Sequence, residues 1–264
     1  MLTIFTVPQP FEGHMDLIQG NALMSWKILK CSPQIILVGN ENGIQGFCEL
    51  YKMDFIPNVE LSSYNTPLVN DVFEKAQEMA QYDTMAFVNT DIILMDDFVD
   101  GIVEVSKKFE NFLLVGQRYD IDVKERIDFE NSLWGQDLIN KVESEGELHA
   151  PCGIDYHVFK KGLWPNIPPF VIGRSSYDNW LVTQASKEKC IVIDSTKVIY
   201  AVHQQHEHRY LENGRGILEG PEAEDNRKLA GSFTHKGFTS NATWKIVYAE
   251  DSNGYQFIER SKSA

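Results

Sequence analysis

Phe87-Val88-Asn89-Thr90-Asp91-Ile92-Ile93-Leu94 sets a polar triplet into an otherwise apolar run. A carboxylate at such a strand end can meet Mg²⁺ or Mn²⁺, hard cations that take oxygen ligands and share them with substrate phosphates. The competing reading is that Asp91 only caps the turn into the next helix. Farther along, Ile172-Gly173-Arg174-Ser175-Ser176-Tyr177-Asp178 places serines ahead of a helix whose first turn holds Asp178. Ser175 or Ser176 would cap that helix, and its positive end would keep Asp178 ionised at neutral pH, able to take a proton from a hydroxyl. An acid that merely stabilises its own helix is the alternative.

Val202-His203-Gln204-Gln205-His206-Glu207-His208 gathers three histidines and a glutamate. One imidazole could complete an oxygen-rich manganese site, while His206 and His208 read as a solvated polar turn. In Gly116-Gln117-Arg118-Tyr119-Asp120, Arg118 suits bidentate pairing with a phosphate or sugar carboxylate. In Gly153-Ile154-Asp155-Tyr156, Asp155 could accept from sugar hydroxyls. A structural ion pair is the other reading of both.

The elements that must position these residues alternate. Residues 2–7 read as a buried strand, and after the Pro8–Pro10 turn Ile18, Ala22, Trp26 and Leu29 recur at helical spacing. A second apolar strand over 34–39 stops at Gly39-Asn40-Glu41-Asn42-Gly43, ahead of a helix through Leu50. A third helix carries Val69, Val72, Phe73, Ala76 and Ala80, and residues 84–88 form a buried strand that ends at Asn89. A fourth helix buries Phe98, Ile102, Val105 and Phe109, and residues 111–116 return as a strand. This is an α/β chain with a Rossmann-type, mostly parallel sheet flanked by helices and joined by right-handed crossovers. Ligands of such sheets bind beyond the carboxyl ends of strands, which points at Val7-Pro8, Gly39-Asn40, Asn89-Thr90-Asp91 and Gly116-Gln117-Arg118. The second half is less regular: a short strand over 156–159, a helix over 177–186 and interrupted strand material over 190–202. After about Arg209 the chain reads as loop and peripheral structure, with Trp244-Lys245-Ile246-Val247-Tyr248 able to pack back on the body.

A chain of 264 residues is near the length at which one core stops growing, so one domain over 1–210 with an irregular extension over 211–264 packed on or over it is expected. A net charge of −14 repels polyanions and argues against a nucleic-acid binder. A small anionic ligand would then need a metal ion and local donors. Cys31, Cys48, Cys152 and Cys190 show neither zinc-cage spacing nor a disulfide framework, which fits reduced thiols in the cytoplasm. The N-terminus lacks a basic start and a cleavage site, and no apolar run is long enough to span a bilayer. Any membrane contact is therefore expected to be peripheral, from the cytosolic side.

In their order along the chain these segments resemble the GT-A-type glycosyltransferases, metal-dependent enzymes with one α/β nucleotide-sugar-binding domain. The resemblance runs from the first strand through about His208. Asn89-Thr90-Asp91 lies where that family places Asp-x-Asp, Asp178 where inverting members place their base, and His203 where many members add a histidine to the metal. It implies that Asp91 and His203 ligate Mn²⁺ or Mg²⁺ and that Asn89 contacts the donor's ribose or a metal-bound water. Thr6, Val7, Pro8, Asn40 and Glu41 would cradle the nucleotide base, and Gln117, Arg118 and Asp155 would meet the donor's phosphate or sugar. The implied reaction moves a sugar from a nucleotide-sugar donor to a hydroxyl of a glycan or glycolipid, with Asp178 as base and inversion at the sugar. The sequence departs from the family pattern at Asn89, which stands in place of an acid, and at Tyr177-Asp178, where the largest inverting branch has Glu-Asp.

Two rival readings share this architecture. A sugar nucleotidyltransferase should carry a glycine-rich, basic phosphate loop after the first strand, whereas this chain has Pro8-Gln9-Pro10-Phe11-Glu12-Gly13. A catalytically silent carbohydrate-binding protein on the same fold is kept in play by Asn89.

Overall fold

The computed structural model describes residues 1–206, 215–233 and 236–260. In chain order the elements are β1 (Thr3–Thr6), α1 (Gly13–Lys27), β2 (Gln34–Val38), α2 (Ile44–Tyr51), β3 (Asp54–Ile56), α3 (Val69–Met79), β4 (Thr84–Val88), β5 (Ile92–Ile93), α4 (Asp96–Lys108) and β6 (Phe112–Val115). Then follow β7 (Arg118–Ile121), α5 (Trp134–Glu145), β8 (Glu147–Leu148), β9 (Tyr156–Lys160), α6 (Tyr177–Lys187), β10 (Ile191–Asp194), β11 (Ala201–Gln204), α7 (Pro221–Ala230), β12 (Trp244–Ala249) and β13 (Gly254–Glu259).

Nine strands form the main sheet in the order β13-β12-β10-β6-β9-β4-β1-β2-β3. It is mostly parallel, as the alternating pattern predicts; β9 runs antiparallel between β4 and β6, and the β12–β13 edge is an antiparallel hairpin. The central strands are apolar on both faces because helices cover both. Along β2, Ile35 and Leu37 enter the core that α1, α2 and α4 close, while Ile36 and Val38 enter the core closed by α3 and α6. Around Phe5 the second core is aromatic, with Phe73 edge-on at 5.0 Å and Phe87 at 5.3 Å.

A second sheet, β5-β11-β7-β8, packs with α5 around its own apolar cluster. Sequence periodicity does not reveal it, because its strands are only two to four residues long. The expectation of an irregular extension also needs correcting. Residues 215–260 carry a helix and two strands, and β12 joins the main sheet in parallel with β10, pairing Ile193 with Trp244 and Asp194 with Lys245. Ile246 is fully buried in the same core as Trp26 and Phe98, and it is this apolar anchor that draws the strand onto the sheet.

Candidate active site

Asp91 sits in the turn that carries the chain from the main sheet to the second one. After β4, the Asn89 amide donates to the carbonyl of Asp155 at 2.9 Å, and the Asn89 carbonyl accepts from Ile92 at 3.1 Å. Thr90 Oγ1 lies 2.7 Å from Thr6 Oγ1, which ties this turn to the end of β1. Asp91 does not cap the next helix, since α4 begins at Asp96 with Met95 in the cap position.

The second sheet brings the histidines to Asp91. β11 pairs antiparallel with β5 and parallel with β7, in a register that sets His203 opposite Ile92 on one side and Asp120 on the other. Gln204 fixes the turn from this strand: its backbone N–H and its Nε2 each donate to the Asp91 carbonyl at 3.2 Å. His203 Nε2 then lies 3.5 Å, and His206 Nε2 3.1 Å, from Asp91 Oδ2. One ligand atom from each of the three residues falls within 4.8 Å of the others. Asp91 Oδ1 is buried with no hydrogen-bond partner among the described residues. A buried carboxylate oxygen without a donor, beside two imidazole nitrogens, is a donor set that fits a divalent cation. The side chain of His206 is only 4% exposed, so the expected solvated turn is corrected at this residue. Glu207, His208 and Arg209 lie outside the described residues.

Behind the cluster the charges alternate. His203 Nδ1 is 2.8 Å from Asp120 Oδ1, an ion-pair distance without hydrogen-bond geometry, while its Nε2 lies toward Asp91. Asp120 also accepts from Arg118 Nε at 2.9 Å and meets His149 Nδ1 at 2.7 Å. Arg118 Nη1 reaches Asp155 Oδ2 at 2.8 Å, and Asp155 Oδ1 accepts from Asn89 Nδ2 at 2.6 Å. Burial would raise the Asp91 and Asp120 carboxyls. The neighbouring His203 and His206 imidazoles instead hold Asp91 well below the usual carboxylate range, and His203, Arg118 and His149 do the same for Asp120. Burial would likewise lower His203, but Asp120 and Asp91 together push it up to about 9.

A cleft of about 700 Å³ opens over this cluster. The loop after β1 contributes Thr6, Val7 and Pro8 to its wall, the turn after β2 Asn40 and Glu41, and the turn after β4 Asn89 and Asp91. Arg118 from β7, Asp155 from ahead of β9 and His203 from β11 complete the predicted residues that line it. The β1 loop is held by the buried Gln19 side chain, which accepts from the Gln9 amide at 2.6 Å and donates to the Gln9 carbonyl at 2.9 Å. Arg118 and Asp155 face the cleft while paired with each other, so the ion-pair reading is observed for both and leaves both on the cleft wall. Gln117 is not on the wall: its Nε2 donates to the His149 carbonyl at 2.5 Å and its backbone N–H to Thr196 Oγ1 at 2.9 Å.

Asp178 is the second residue of α6 and does not itself line the cleft, whereas Tyr177 beside it does. Two expectations about it are corrected. Ser176 occupies the N-cap position at φ +86° and makes no side-chain capping bond, because that left-handed backbone is not the extended one that aims a cap at the first amides. Asp178 Oδ1 accepts instead from the adjacent Asn179 amide at 2.8 Å. Nor is the carboxyl simply ionised: burial, reinforced by the nearby Asp155 charge, pushes it up to about 7.

Sequence reasoning missed His206 as a partner of Asp91 and Asp120 as the carboxylate behind His203. Only a weak signal was present, Arg118 and Asp120 standing two apart and so on one face of a strand. No local pattern shows that His203 lies across from them.

The order of strands, the helices on both faces and a ligand cleft at the strand ends define the GT-A-type glycosyltransferase fold. Glucosyl-3-phosphoglycerate synthase from Mycobacterium tuberculosis, solved with Mn²⁺, UDP and phosphoglyceric acid, is 12% identical and matches with a TM-score of 0.52 over 100% of this chain and 87% of that one. A mycobacterial protein matches at 0.51 with 11% identity, over 98% of this chain and 83% of its own. S. aureus TarS matches at 0.50 with 10% identity, over 88% of this chain and 42% of that longer one. At these identities the likeness is one of fold. No protein-family model matches the chain, and no curated protein matches it in sequence.

Proposed function

We propose that the protein is a metal-assisted glycosyltransferase that moves a sugar from a nucleotide-sugar donor to a hydroxyl of a glycan or glycolipid acceptor, with inversion. The observation that carries this is the cluster of Asp91, His203 and His206 in the cleft of a GT-A-type fold, with Asp91 Oδ1 buried and without a hydrogen-bond partner among the described residues. Those three residues would hold Mn²⁺ or a similar ion. When bound, it supplies charge neutralisation for the departing diphosphate. Thr6, Val7, Pro8, Asn40 and Glu41 offer the nucleotide a wall at the ends of β1 and β2. Arg118 and Asp155, locked together, present a fixed donor and acceptor to the sugar and phosphate.

Asp178, next to Tyr177 of the cleft wall but not on that wall itself, is the base of this reading, which requires the acceptor to reach past Tyr177 to its carboxyl. The acceptor O–H gives its proton to the carboxylate, its oxygen bonds to the anomeric carbon, and the carbon–phosphate oxygen bond breaks to release the nucleoside diphosphate. A carboxyl pushed up to about 7 suits a base working near neutral pH. The acidic chain, its four free cysteines and the absence of any helix long and apolar enough to cross a membrane among the described residues support a cytosolic site of action, with peripheral contact where the acceptor is a lipid.

The test is a thermal-shift screen against UDP-, GDP-, CMP- and dTDP-sugars, with and without Mn²⁺, on the wild type and Asp91→Ala. A Mn²⁺-dependent rise with one nucleotide family, lost in the variant, is expected. No shift with any of them overturns the donor site and favours the silent-protein reading, which Asn89 and its bond to Asp155 would then explain.

A further inference from the structure

One wall of the cleft comes from three separate segments: Leu61, Asn65 and Thr66 from the β3–α3 connection, Ile172 and Gly173 from the stretch before α6, and Ile217 from the stretch before α7. Its two loops pair with each other through the Leu68–Val171 bridge and the Ile172 amide, which donates to the Pro67 carbonyl at 3.1 Å. What holds them from behind is α7. Glu222 and Asn226, one helical turn apart, are 1% and 0% exposed. Glu222 accepts from Ser62 Oγ at 2.5 Å, from Thr66 Oγ1 at 3.2 Å and from Arg174 Nη2 at 2.6 Å. Asn226 uses its amide as a strand edge would: Oδ1 accepts from the Val171 amide at 2.8 Å, and Nδ2 donates to the carbonyls of Val171 at 2.9 Å and Ser175 at 3.2 Å. The Ser175 amide in turn donates to the Ile217 carbonyl at 2.9 Å.

We infer that Glu222 and Asn226 are positioning residues, through which α7 sets the acceptor-facing wall of the cleft and the start of the helix that carries Asp178. This rests on the glycosyltransferase reading above. The wall belongs to the acceptor because the segment α7 grips, residues 171–175, runs directly into Tyr177 and Asp178, whereas the nucleotide wall lies at the ends of β1 and β2 and the metal cluster at the end of β4 and along β11, and among the described residues neither receives a bond from α7. A buried carboxylate with three partners and a buried amide with three are more than a helix needs to pack; every one of these bonds ends on a loop of the cleft or on Arg174 between them.

Ser62→Ala and Asn226→Ala test this in the full chain. Ser62→Ala deletes one hydroxyl and leaves the Arg174–Glu222 pair in place, so it keeps the question open if Asn226→Ala folds poorly. The readouts are the Mn²⁺-dependent affinity for UDP-glucose and GDP-mannose, the kinetics of transfer to p-nitrophenyl glycosides, and amide hydrogen exchange. The expected result is donor affinity within about twofold of wild type, turnover lower by about tenfold or more with a raised acceptor KM, and faster exchange at Thr66, Val171, Ile172 and Ser175. Donor affinity falling in step with turnover would overturn the acceptor assignment. Transfer and exchange unchanged in both variants, with an active wild type, would overturn the clamp alone. A wild type that binds none of the UDP-, GDP-, CMP- or dTDP-sugars with Mn²⁺ would defeat the underlying reading instead.

Discussion

Among the described residues the cluster around Asp91 holds no second acid, and Asn89, two residues before it, gives its amide to Asp155. The cluster therefore offers one carboxylate and two imidazoles, a set that favours Mn²⁺ and later first-row ions over Mg²⁺. Calorimetry should show Mn²⁺ binding at least about tenfold tighter than Mg²⁺, a gap that His206→Ala narrows and Asp91→Ala abolishes along with binding. With Asp178 as the proposed base, its carboxyl would set the pH dependence. A base must be unprotonated, so with its carboxyl near 7, kcat/KM should rise with pH up to about 7 and level off above it. Asp178→Asn should cost about a hundredfold or more and remove that limb of the profile. The same shift has a stability sign. The folded-state value lies above the ordinary 3.8, so ionisation costs stability in full above about pH 7 and costs nothing below the ordinary value. Asp178→Asn should thus raise the unfolding free energy by about 1–2 kcal/mol at pH 8 and by much less at pH 4, as chemical denaturation at the two pH values would show.

At the scale of elements, the site depends on how short strands are aimed. Gly116 joins β6 of the main sheet to the stretch that becomes β7, and so decides where Arg118 and Asp120 point. A Cβ there would stand 2.0 Å from Tyr156 Oη, which is fully buried and bound to Ser195 Oγ at 2.8 Å, and 3.2 Å from the Thr196 amide. Neither neighbour is free to give way. Gly116→Ala should cost about 1–3 kcal/mol in urea denaturation, and because β7 must shift to relieve the contact, it should weaken Mn²⁺ binding as well. Arg118 was legible as a chemistry-bearing residue, with Asp120 two positions on along the same strand. The meeting of Asp120 with His203 was not legible, since it follows from the register between β7 and β11 and from no local pattern.

Across the whole molecule, the C-terminal segment completes the sheet and does not ornament it. β12 pairs with β10, Ile246 is fully buried in the main core, and α7 backs the cleft. Ile246→Ala should cost about 2–4 kcal/mol. A chain cut after residue 206 should fail to give a cooperative thermal transition, because β10 loses its neighbour and the cores lose Ala230, Ala242 and Ile246. A truncated chain that melted cooperatively near the full-length Tm would show that the segment is an accessory.

The alternation of strand and helix through residue 115, the two-faced burial of the central strands, the cleft at the strand ends and the place of Asp91 just past a strand end all follow from the sequence by itself, because they rest on local periodicity and on where polar residues interrupt apolar runs. The tertiary structure alone decided that His206 turns inward to Asp91, that Asp120 stands behind His203, that Ser176 makes no cap, that the Asp178 carboxyl is desolvated and that the tail is part of the sheet. Each of these depends on contacts between residues far apart in the chain, or on the burial those contacts create, and neither leaves a periodic trace in the neighbouring sequence.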